Sequence, residues 1–177
     1  MRQTTLCLPL VALAALACQS SSSVRTVAAD EALRKPLFDS VAALEGRWEE
    51  AEDSGEMQLA IEYHVSSGGT AVREVMNPGG PHEMTNMYTL DGNSLVMTHY
   101  CAGGNQPHMR ASALEDGALV FEAEGVSDLN PGESSYMGAL KLVMVDANTL
   151  EQHWTSMNAD GKPNPDHDMV FHLKRVN

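Results

Sequence analysis

From Trp48 onward the chain is written in period two. Met57, Leu59, Ile61, Tyr63 and Val65 alternate with Gln58, Ala60, Glu62, His64 and Ser66, the pattern of a strand with one face buried and the other in water. Ser67-Gly68-Gly69 turns the chain and Thr70 to Met76 returns. Pro78-Gly79-Gly80-Pro81 then leads into a hairpin around Asp91-Gly92, a dipeptide suited to the positive φ of tight hairpin turns. Further runs follow at hairpin spacing: His108 to Leu114, Leu119/Phe121/Ala123, Tyr136 to Met144, Leu150 to Met157, and Met169/Phe171/Leu173. Turn clusters at Glu115-Asp116-Gly117, Asn130-Pro131-Gly132, Asp146-Ala147-Asn148 and Asn158 to Asp166 separate them. About ten short strands in a meander predict an all-β, antiparallel up-and-down β-barrel. Closure would also remove the unpaired edges such a meander exposes.

Before the strands the period changes. Leu33, Leu37, Val41 and Leu44 recur at spacings of four and three, one face of a helix. Pro36 suits a first turn and would break a helix interior, so the spacing predicts a short N-terminal helix from Pro36 to Leu44, stopped by Gly46.

The central hairpin, His82 to Cys101, concentrates the chemistry-bearing residues. A two-residue turn at Asp91-Gly92 pairs Tyr88 with Leu95, Asn86 with Met97, Met84 with His99 and His82 with Cys101. A type I turn with Gly92 in a bulge slips the parity by one and turns Thr98 and Tyr100 inward instead. In the first register Tyr88, Met97 and His99 face the barrel interior, and these are the candidate ligand contacts. Arg110, near the mouth, is the candidate anchor for an anionic group; Arg73 is the other arginine on a strand that could turn inward. His82, Met84, His99 and Cys101 together would make a soft donor set for a metal or haem iron. Packed, hydrogen-bonded residues are the plainer reading, and no metal ligand is assigned. His64, His153 and His172 fall on the polar parity of their strands, and His167 falls in a loop.

Composition narrows the picture. Met1-Arg2 precedes an apolar run from Leu6 to Ala17 that is too short to span a bilayer, as expected of a secretory signal over residues 1–17. Ala15-Leu16-Ala17-Cys18 resembles the bacterial lipobox, which implies cleavage before Cys18 and lipidation of its thiol. Residues 18–35, with their serine run, are then a flexible tether, and residues 36–177 the barrel domain. Cleavage removes Arg2 and no acid, leaving 10 basic and 24 acidic residues, a net charge of −14. That charge argues against nucleic acid or anionic membrane surfaces as partners, so contact with the membrane is expected through the anchor alone. The expected location is extracytoplasmic, on the periplasmic or outer-membrane side, and Gln19 in place of aspartate favours the outer membrane. Cys7 leaves with the signal and Cys18 is acylated, so Cys101 has no disulfide partner and the fold rests on its core. A monomer is expected. No Gly-x-Ser-x-Gly, phosphate-loop or dinucleotide fingerprint occurs.

A resemblance enters at Leu44-Glu45-Gly46-Arg47-Trp48. A Gly-x-Trp entering the first strand after a short helix resembles the opening of the calycins: lipocalins, fatty-acid-binding proteins and nitrobindin-like barrels. The resemblance implies that a basic residue of the last strand, Arg175 or Lys174, packs across Trp48 at the closed end. It also implies a small apolar ligand. Two functions follow from the sequence. One is a lipid-anchored barrel that binds a small apolar or amphiphilic molecule, with ten methionines after residue 1 suiting an adaptable pocket. The other is a metal- or haem-dependent sensor or enzyme using His82, His99 and Cys101. The cofactor stays open.

Overall fold

The computed structural model describes residues 26–28, 30–51 and 54–176. The expected signal segment 1–17, Cys18, tether residues 19–25 and the side chain of Leu33 lie outside the described residues. A helix α1 (Glu31–Ala42) leads into β1 (Gly46–Ala51), β2 (Met57–Ser66), β3 (Ala71–Met76), β4 (Met84–Asp91), β5 (Ser94–Tyr100), β6 (Gln106–Ala111), β7 (Leu114–Glu115), β8 (Ala118–Ser127), β9 (Tyr136–Asp146), β10 (Thr149–Met157) and β11 (Met169–Arg175). Every pairing is antiparallel, and contact between β6 and β8 closes the sheet on itself. The two-residue β7 adds to β8 beyond the end of β6, so ten strands form the closed barrel. The expected all-β barrel with a short helix is the observed one.

The helix begins five residues before the expected Pro36. Asp30 caps it, accepting from the Ala32 N–H at 2.9 Å. The first intrahelical bond after the cap runs from the Arg34 N–H to the Asp30 carbonyl at 3.2 Å. Pro36 therefore forfeits a single early bond, and its ring lies on the exposed side. Leu37, Phe38, Val41 and Leu44 are buried and close one end of the barrel.

A latch fixes that closed end. Trp48 is fully buried, and its indole N–H donates to the Leu44 carbonyl at 2.9 Å. Arg175, paired with Trp48 across β1 and β11, holds its guanidinium carbon 4.3 Å from the indole centroid. The same guanidinium donates to the carbonyls of Glu45 (2.6 Å), Ala43 (2.8 Å) and Ala147 (3.0 Å). Gly46 has φ of 127°, and a Cβ there would sit 3.3 Å from Arg175 Nη1. Glycine is required at Gly46 both for the backbone conformation and for the passage of the arginine. Lys174, the other expected candidate, points outward to Thr149.

The hairpin turn differs by one position from the expected one. Asp91 pairs with Ser94, so Gly92-Asn93 is the two-residue loop, with Gly92 at φ 62° where a type II′ turn wants glycine. Tyr88 consequently pairs with Met97 and Asn86 with His99. The shift moves each partner by two residues, which preserves parity: Tyr88, Leu95, Met97 and His99 are buried, while Tyr100 is exposed.

Candidate functional site

Inside the barrel the strand registers assemble a buried polar network. Tyr63 pairs with Glu74, Glu74 with Asn86, and Asn86 with His99, so one lateral row crosses β2, β3, β4 and β5 on the inner face. All four residues are at most 1 % exposed. Glu74 Oε2 accepts from Asn86 Nδ2 at 2.7 Å and from the Tyr88 hydroxyl at 2.5 Å. Its Oε1 accepts from Gln152 Nε2, which reaches across from β10, at 2.6 Å. The Gln152 amide also donates to the Tyr63 hydroxyl at 2.6 Å, and that hydroxyl in turn hydrogen-bonds Glu74. Trp154 Nε1 donates to Gln152 Oε1 at 2.9 Å, which fixes the amide's orientation.

Glu74 is thus a carboxylate held by four neutral donors, and no ion pair to it forms among the described residues. Burial pushes its carboxyl above the usual range, and the four hydrogen bonds offset only part of that rise. Burial, followed by the charge of Glu74, also holds the hydroxyls of Tyr63 and Tyr88 well above the usual tyrosine range, so both stay protonated donors.

The carboxylate sets the chemistry of His99 through Asn86. With its amide nitrogen turned to Glu74, Asn86 presents Oδ1 to His99 Nδ1 at 2.6 Å. An oxygen in that place requires the proton on Nδ1. Burial lowers the His99 pKa to about 4, so the ring is neutral and Nε2 carries a bare lone pair. The ring lies against Trp154, with centroids 4.9 Å apart. Among the described residues, His99 Nε2 and Asn105 Oδ1 are the two buried side-chain polar atoms without a hydrogen-bond partner.

Both lie toward the end opposite α1. His99 is the second-to-last residue of β5, and Asn105 precedes β6 just beyond the loop. At this open end Met76, Met84, Met137 and Met169 join Leu59 and Phe171 around the core. A mostly apolar depression of about 180 Å³ opens there between Leu59, Met76, Met84 and Phe171, with the polar residues Glu50, Gln58 and Asn77 also lining it. Met76 links it to the network, its sulfur lying 3.6 Å from Asn86 Nδ2. Gly138 makes room for Met157, whose Cγ would lie 2.3 Å from a Cβ at Gly138.

Of the four candidate contacts expected from sequence, Tyr88, Met97 and His99 share the interior. Arg110 does not join them. On β6 Pro107, Met109 and Ala111 are the inward residues, so Arg110 points outward, and it sits toward the closed end rather than the mouth. Its guanidinium is bound by Asp91 at 2.8 Å and Glu124 at 2.6 Å beside an open outer groove of about 500 Å³. Arg73 is exposed on the outer face of β3. The soft donor set does not assemble either: His82 is exposed in the turn before β4, His99 is buried, and Cys101 is half-buried in the loop. No group of three or more His, Cys, Asp or Glu placed to hold a metal occurs among the described residues.

Glu74, Asn86 and Gln152 are not legible as a unit in the sequence. One signal was available for Glu74: it stands between Val72 and Met76 at the inward parity of its strand. Neither a protein-family model nor a curated protein sequence matches this chain.

Proposed function

We propose that this is a calycin-like binding module, held on the extracytoplasmic face of a membrane by a lipidated Cys18, that takes a small apolar or amphiphilic molecule through its methionine-lined end. The observation that supports this reading is the asymmetry of the barrel. One end is sealed by α1, Trp48 and Arg175, and the other carries a mostly apolar depression whose Met76 touches the buried polar network at Asn86. At about 180 Å³ the depression is smaller than the several hundred cubic ångströms usual for small-molecule sites. Entry therefore calls for the methionines to repack, which their unbranched, three-torsion side chains allow at low cost.

A neutral fluorescent probe, N-phenyl-1-naphthylamine, tests the site. Saturable one-to-one binding is expected, weakened at least tenfold by Met84→Trp and unchanged by Arg110→Ala. Absence of saturable binding overturns the reading. Binding that ignores Met84→Trp and responds to Arg110→Ala moves the site to the outer groove.

A further inference from the structure

We infer that the open end of the barrel selects a ligand whose head group donates a hydrogen bond, such as an uncharged alcohol, and rejects carboxylates. This rests on the reading above that the open end is the ligand site. His99 Nε2 and Asn105 Oδ1 lack partners, and both can only accept once the Asn86 contact has placed the ring proton on Nδ1. Buried polar atoms in native structures almost always find a partner, so two orphan acceptors at one end call for a donor from outside the chain.

Among the described residues no Lys or Arg lines the depression, as an acidic ligand would require, and Lys162 in the loop before β11 is exposed and paired with Asp160. Arg110 is outside the barrel and bound by two carboxylates, Arg73 is exposed, and Arg175 is committed to Trp48 and three carbonyls at the sealed end. The interior instead contains Glu74, whose own donors are all directed at it. An entering carboxylate would meet two lone pairs and a buried acid at its head group, and the donors lining the depression are only the neutral amides of Gln58 and Asn77. An alcohol hydroxyl would place its hydrogen on His99 Nε2 and its alkyl chain among Met76, Met84 and Phe171.

Octan-1-ol, 1-methoxyoctane and octanoate separate the possibilities, because they share a chain and differ in the head group. Each is measured by displacement of N-phenyl-1-naphthylamine from the full folded domain. Octanol should bind roughly tenfold more tightly than the methyl ether, the order expected for satisfying a buried acceptor, and octanoate should bind most weakly. His99→Phe should abolish the alcohol-to-ether difference while leaving the ether within about twofold. In the unsubstituted protein, the nitrogen resonance of His99 Nε2 should move upfield on adding octanol and stay in place on adding the ether, a readout that does not depend on the variant folding. Equal binding of alcohol and ether, or a stationary resonance, overturns the proposal and leaves an apolar site with water on Nε2. Tightest binding of octanoate overturns it too. Failure of all three to displace the probe overturns the underlying site reading instead. A stoichiometric metal or a Soret band lost in His99→Phe would assign Nε2 to a metal and overturn the donor proposal.

Discussion

At the scale of single residues, the network around Glu74 couples protonation to stability in two opposed ways. His99 titrates near pH 4 when folded and near 6.5 when unfolded, so the unfolded chain takes up a proton in that window that the folded chain refuses. Its stabilising contribution is present above pH 6.5 and is lost as pH falls toward 4, an effect of roughly 3 kcal/mol. Glu74 runs the other way. Its folded pKa is raised, so its contribution is complete below the ordinary carboxyl value and is lost as pH rises above it. Urea unfolding of His99→Phe between pH 4 and 7 should therefore lack much of the acid decline seen in the parent; parallel profiles would mean that His99 is not buried as a neutral ring. Glu74→Ala strands the Asn86, Tyr88, Gln152 and Tyr63 donors together, and should destabilise the domain by about 3–5 kcal/mol at neutral pH, as expected when one member of a buried charged network is removed. A loss below about 1 kcal/mol by denaturant melt would show that the donors find water.

Two elements carry the order of the fold. The hairpin of β4 and β5 sets which residues see the interior, and Cys101 reports on it from the loop end. Its thiol is half-buried and accepts from the Gly103 N–H at 3.4 Å. Modification by a thiol reagent should be slow in the native state and fast after unfolding, and native labelling at the unfolded rate would contradict this placement. The junction of α1 with β1 is the second such element. Trp48→Ala removes a fully buried indole together with its bond to Leu44 and its contact with Arg175. A loss of about 3–5 kcal/mol is expected, the range for truncating a buried Phe or Trp. Arg175→Lys keeps the charge but cannot serve three carbonyls with a planar fork, and it should lower the melting temperature as well. A shift of a degree or two for Trp48→Ala would show the latch to be peripheral.

For the whole molecule, closure of the barrel turns ten marginal strands into one cooperative body, since the β6–β8 contact leaves no long unpaired edge. Its surface is strongly acidic, with a net charge of −13 for the full chain, which disfavours adsorption to anionic lipid. We propose that membrane association runs through lipidation of Cys18, where more than one acyl chain would anchor far more firmly than one. Cys18→Ser should release the protein from the membrane fraction or leave the precursor uncleaved. Unchanged fractionation of that variant would rule the anchor out.

The sequence by itself determined the elements and the faces. Period-two alternation over Met57 to Val65 and its successors specified strands with one buried side, because a strand's side chains alternate across the sheet whatever it pairs with. For the central hairpin alternation left two parities open, and the turn at Gly92-Asn93, which shifts the pairing by two residues, gives the one with Tyr88, Met97 and His99 inward. The closed end was expected only through the resemblance carried by Gly46-Arg47-Trp48, and Arg175 does pack across Trp48 there. What only the tertiary structure decided was who meets whom across the barrel. Glu74 and Gln152 are 78 residues apart, and Tyr63 and Gln152 are 89 apart. Single-residue polarity suggests an exposed Glu74, and only the donors brought by β2, β4 and β10 make its burial tolerable. Arg110 lies outside the barrel for the same reason in reverse. Its own strand allowed either face, and the carboxylates of Asp91 and Glu124, brought close by β4 and β8, hold it outside.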